Sequence, residues 1–122
     1  MKLHSDSFPN KGVIPSEFAF AQMDEKTRVK LSSNKNPHFS WTDVPEQTQS
    51  FIMLCVDATA PTDPSDVNQT DREVPAELPR ADFSHWVLMN IPAKTREFQA
   101  GQFSREVTPK GKAGPLVAGL KE

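Results

Sequence analysis

The chain has 122 residues, of which 36% are apolar and 25% charged, with a net charge of −2. That length holds one domain at most. Scattered basic residues give no footing for nucleic acid, no apolar run nears the roughly 20 residues of a membrane-spanning helix, and a lone Cys55 excludes an internal disulfide framework. The first residues, Met1 to Asp6, lack the apolar centre of a signal peptide, so a cytoplasmic setting is the default expectation. The 11 prolines bound nearly every candidate element. Proline removes a backbone donor and fixes φ, so this spacing disfavours long helices and predicts a mainly β domain with long, ordered loops.

In chain order, residues 1 to 16 read as an extended lead-in with turns at Phe8-Pro9-Asn10-Lys11-Gly12 and Ile14-Pro15. Glu17 to Met23 alternates weakly and Thr27 to Leu31 is short; both are candidate strands. Ser32 to Thr42 reads as a polar loop interrupted by Phe39 and Trp41. Thr48 to Asp57 is the strongest strand, apolar on both faces and therefore expected to be central and covered above and below. Thr62 to Phe83 is polar and rich in Pro and Asp, and loops of that length often carry function. Ser84 to Ile91 is the second strong strand. Lys94 to Gln99 suits a helical turn, Gln102 to Val107 a short strand, and the chain from Thr108 onward a glycine-rich loop.

Two ionisable residues stand out. Asp57 ends an apolar strand just before the turn at Pro61, and His85 begins another strand. Two strands that each bring a polar group to one end can frame a small polar pocket beside apolar walls. Asp57 beside His85 would favour the imidazolium, which attracts phosphate or carboxylate. The plainer alternatives are that Asp57 caps the turn through local backbone bonds and that His85 is structural. Trp86 and Leu88 fall on the opposite strand face and are expected in the core. Trp41 is either a pocket wall or a plug under the loop.

Three blocks carry a family resemblance. They are Ser33-Asn-Lys-Asn-Pro37-His-Phe-Ser-Trp41 with Val44-Pro45, then Ser50-Phe51 through Asp57-Ala-Thr-Ala60-Pro61, then His85-Trp86-Val-Leu-Met-Asn90-Ile-Pro92. In order and spacing they resemble the phosphatidylethanolamine-binding protein family, which includes the Raf kinase inhibitor proteins, and the long loop before His85 is similar to its bacterial branch. The resemblance implies a β-sandwich with Greek-key-type connections and a small anion pocket lined by Asp57, Pro61 and His85, with Ala60–Pro61 as a candidate cis bond. Two departures matter. Thr59 stands where the family box has a second acid, which removes a charge beside the pocket and bears on ligand preference, with Thr59 a candidate for the pocket wall. The family's later Gly-x-His-Arg motif is absent, so residues 1–122 are expected to be the N-terminal portion of a single longer domain, incomplete at its C-terminus. Such a piece should expose apolar sheet and either associate, for example as a homodimer, or be poorly stable.

The leading functional expectation is a non-enzymatic module that binds a small phosphate-containing anion without a cofactor. A rival is an interaction protein that regulates a kinase or protease through residues 62–83, and a weaker rival is a hydrolase. Catalysis has little support: Cys55 lies mid-strand, where a thiol is usually inert, and no nucleophile elbow is present. His4, His38 and His85 with one Cys give no metal spacing, and Asp63, Asp66 and Asp71 lack the Gly and terminal Glu of a calcium loop.

Overall fold

A computed structural model describes residues 1–107, and the expectation of a loop from Thr108 lies outside them. In chain order the elements are β1 (Lys2–His4), a 3-10 turn (Ser16–Phe18), β2 (Ala21–Asp24), β3 (Arg28–Leu31), β4 (Phe39–Thr42), β5 (Ser50–Pro61), β6 (Arg80–Pro92) and β7 (Glu97–Phe98). The fold is mainly β, as the proline spacing and the family resemblance imply, and every strand pair is antiparallel. The strands form three sheets, ordered β1-β4-β7, β2-β3 and β5-β6.

Phe39-Ser-Trp41-Thr alternates large aromatic with small polar residues, the period of a half-buried strand. That alternation makes β4 the middle strand of its sheet, where a polar loop was expected. Leu3 pairs with Trp41 on one side and Phe39 with Phe98 on the other. The helical turn expected at Lys94 to Gln99 is instead a tight turn, closed by the Thr95 amide on the Pro92 carbonyl, that leads into β7. Residues 102–107 form no strand, because their backbone is occupied elsewhere. The Phe103 and Ser104 amides both donate to the side-chain oxygen of Asn36.

The central expectation for Thr48 to Asp57 is corrected. β5 and β6 form a two-stranded ribbon of their own, and each runs well past its apolar run. One ribbon face is covered: Phe51, Met53 and Trp86 pack on the buried Leu88 and Ile91. The other leaves Ile52, Leu54 and Val56 at 64%, 58% and 48% exposure. The buried core of the described residues consists of Trp41, Leu88, Ile91 and Phe98. It joins the ribbon to the β1-β4-β7 sheet through edge-to-face contacts of Trp41 with Phe51 and Phe98, at 5.4 Å and 5.2 Å.

Two buried polar residues tie the flanking segments to this core. The Asn36 side chain accepts from the Phe103 and Ser104 amides and donates to the Pro37 and Gln99 carbonyls, all within 3.0 Å. The Gly101 amide closes the same turn on the Asn36 carbonyl, and Gly101 takes φ +69°, a conformation that costs glycine little. His38 accepts the Asp6 amide at Nδ1 and lies 3.1 Å from Glu97 Oε1 at Nε2, which fixes Nε2 as the protonated nitrogen. These bonds pin the chain before β4 to both of its neighbours.

Candidate functional site

The ribbon ladder slips three times, and the slips place the candidate site. Between the pairs Met53↔Leu88 and Phe51↔Ile91, β6 carries one extra residue. Asn90 there has φ +56°, a left-handed conformation asparagine tolerates better than most residues. Cys55 pairs with Trp86 and Val56 with Ser84, so His85 is itself an extra, bulged residue of β6. Asp57 pairs with Phe83 but Ala60 with Ala81, so the third bulge lies in β5 just after Asp57. Bulges re-aim side chains and sharpen local twist.

Asp57 and His85 are therefore interior to their strands, not at the strand ends as the apolar runs suggested. β5 continues four residues beyond Asp57 because Ala60 and Pro61 still find partners in Ala81 and Arg80. The two side chains nonetheless meet: His85 Nε2 lies 3.7 Å from Asp57 Oδ2. That separation is ion-pair contact, longer than a hydrogen bond. Their side chains are 55% and 39% exposed, so the pair sits on an open shelf of the ribbon.

Local bonds orient both partners. Asp57 Oδ1 accepts the Thr59 amide at 2.8 Å and the Thr59 hydroxyl at 2.7 Å. Thr59 Oγ1 and N–H, ahead of His85, hold the Asp57 carboxyl below the usual carboxylate range. Asp57 thus performs the local bonding of the plainer alternative and still presents its second oxygen to His85. On the other side, the Phe83 ring meets the His85 ring edge-on at 4.9 Å. The Cys55 thiol is pushed up by burial and then by the charge of Asp57, which is opposite to the activation a nucleophile needs.

The remaining expected residues lie elsewhere. The Ala60–Pro61 bond is trans, a correction to the cis candidate, and no described peptide bond is cis. An extended trans bond lets Pro61 finish β5 opposite Arg80, with Thr62 closing the ribbon on the Pro79 carbonyl. Pro61 stands about 13 Å along the strand from Asp57 at about 3.3 Å per residue. Trp41 is a core plug at 4% exposure that also floors an apolar groove shared with Met1, Leu3, Phe51 to Leu54 and Ile91. Residues 62–79 connect the ribbon strands, and Arg72 ties them together through Asp66 and Asp71 at 3.6 Å and 2.9 Å. Asn36 and His38, within the first resemblance block, are buried organisers that strand periodicity could not single out. Their only sequence signal is a dense Asn-Pro-His cluster directly before an aromatic alternation.

Several carboxylates share the lowered state of Asp57. Asp24 is held far below the usual range, first by the Thr27 amide and then by Lys30, and Asp63 and Asp71 are lowered by Ser65 and Arg72. Folding favours the ionised form of each. That contribution is complete above the unfolded-chain pKa near 4 and is lost as pH falls through the lowered values. The thermal midpoint should therefore stay level from pH 7 to about pH 5 and fall steadily below about pH 4. A melting temperature unchanged between pH 5 and pH 2 would contradict the assignment.

A family model described as phosphatidylethanolamine-binding protein matches residues 4–117. The UPF0098 protein YbhB of Escherichia coli K12 is 30% identical over 118 residues, which is 97% of this chain and 54% of that protein. A UPF0098 protein of Aquifex aeolicus is 31% identical over 122 residues, 100% of this chain and 50% of that protein. The chain thus spans about half the length of these curated relatives. No solved structure matches it significantly. Among the described residues, no helix is long and apolar enough to cross a membrane. With the match running across nearly the whole sequence, the chain belongs to the phosphatidylethanolamine-binding protein family.

Proposed function

We propose that this chain is a cytoplasmic, non-enzymatic binding module for a small phosphate-bearing anion, held by His85 with Asp57 as its positioning partner. The observation that carries the reading is the 3.7 Å approach of two side chains that lie 28 positions apart in sequence, with both partly open to solvent. Asp57 stays ionised and faces Nε2 of His85, which leaves the Nδ1 edge of the ring for a ligand oxygen. A charge-assisted bond of that kind contributes about 1.5–3 kcal/mol. Free phosphate and a lipid head group present the same oxygens, so both satisfy the chemistry. The raised Cys55 thiol speaks against a thiol nucleophile beside this pair.

Titration with inorganic phosphate, and separately with phosphoethanolamine, should move the His85 ring resonances at millimolar ligand. His85→Ala should weaken binding by about tenfold, equivalent to ~1.4 kcal/mol. Unmoved His85 resonances with both ligands would end this reading.

A further inference from the structure

We infer that Thr59 is the specificity-determining residue of this site, because its hydroxyl and amide clamp one oxygen of Asp57 and leave the other for His85. This rests on the reading of Asp57 and His85 as an anion site, and it names the ligand class that site selects. The β5 bulge that follows Asp57 curls the backbone so that both Thr59 donors reach the same atom, Oδ1, at 2.8 Å and 2.7 Å. The carboxylate is thereby fixed in rotation, with Oδ2 on the His85 side at 3.7 Å.

The clamp consists of neutral donors, and its chemical consequence is selective. The two hydrogen bonds take up Oδ1, and the remaining oxygen, Oδ2, faces the His85 ring, so an incoming ammonium meets less free carboxylate. The edge left open is that of the imidazole, which suits an oxyanion. The site should therefore favour a compact anion such as inorganic phosphate over a zwitterion whose ammonium needs a free carboxylate. An unclamped Asp57, or a second acid in place of Thr59, would reverse that order by offering free negative charge.

Three variants separate hydroxyl, shape and charge. Thr59 is exposed, so the substitutions leave the core untouched, and a melting curve verifies this. Two quantities are followed by NMR: the pH titration of the Asp57 carboxyl carbon, and the ratio of affinities for inorganic phosphate and phosphoethanolamine read at His85. The wild-type chain is expected to bind phosphate at least as tightly as phosphoethanolamine. Thr59→Ser keeps the hydroxyl and should match it within about twofold. Thr59→Val keeps the shape and the amide donor but loses the hydroxyl donor, so Asp57 should titrate at higher pH and the ratio should shift toward phosphoethanolamine. Thr59→Asp should lose phosphate affinity by about tenfold and invert the preference.

An Asp57 titration in Thr59→Val identical to wild type would overturn the clamp. An affinity ratio untouched by Thr59→Asp would overturn the selection. Silence of His85 toward both ligands in the wild-type chain would instead defeat the anion-site reading and the selection with it, while the Asp57 titration would still decide the clamp.

Discussion

Trp41→Ala should unfold the protein at ordinary temperature. The indole is 4% exposed and bridges the two main sheets through its contacts with Phe51 and Phe98. Truncating a buried Trp costs about 3–5 kcal/mol, from lost transfer energy and the cavity left behind. Domains of this size hold only about 5–15 kcal/mol in total, and a buried core of four residues among those described argues for the low end. Trp41→Phe should be far milder. The Trp41 Nε1 atom is buried without a hydrogen-bond partner, so a phenyl ring forfeits no bond there and loses only volume. The expected order in urea midpoint is wild type, then Phe close behind, then Ala with no cooperative transition. A cooperative Trp41→Ala transition with a urea midpoint close to that of wild type would show that the two sheets do not depend on this ring.

Asn36→Asp should be nearly as damaging despite its almost identical shape. The Asn36 amide uses both donors and both acceptor sites of its side chain: Phe103 and Ser104 amides on the oxygen, Pro37 and Gln99 carbonyls on the nitrogen. An aspartate turns the donor side into an acceptor facing two carbonyls, and at 4% exposure it either buries a charge or takes up a proton. The expected cost is about 3 kcal/mol or more, since each orphaned buried group costs about 1–3 kcal/mol. Hydrogen exchange localises the effect. The Phe103 and Ser104 amides should lose protection before the ribbon amides do. Protection at 103 and 104 equal to wild type would remove Asn36 from its place as organiser of the 99–104 turn.

The contrast between these residues explains what the sequence reveals. β5 and β6 were legible because their apolar, β-branched runs leave no other economical conformation. Their true ends were not, because Ala58 to Pro61 and Arg80 to Phe83 have little strand character and are carried by zippering outward from Met53 and Leu88. β1 and β7 have three and two residues, too few for any periodicity, and exist because β4 offers them partners. Asp57 and His85 stand out by residue type, but their apolar runs put them at strand ends, whereas they lie within the strands. What brings them together is a pair of bulges, and a bulge is a property of two paired strands that neither strand encodes alone. Asn36 and His38 were invisible for a related reason: buried polar residues are selected by the partners they satisfy, and apart from the adjacent Pro37 carbonyl the partners named above lie 32 to 68 positions away.

The outer edge of β5 has a further consequence for anyone who concentrates this protein. Its only strand partner among the described residues is β6, and it carries the exposed Ile52, Leu54 and Val56 within Phe51 to Val56, a segment with no charge, proline or glycine. Six residues of that composition match the signature of a cross-β steric zipper, in which copies stack into fibrils. Natural sheets guard such margins with a gatekeeper lysine, and none stands here. Storage at high concentration would thus select for amyloid seeding from this stretch, and Leu54→Lys, on the uncovered face, is the smallest change that supplies the missing guard.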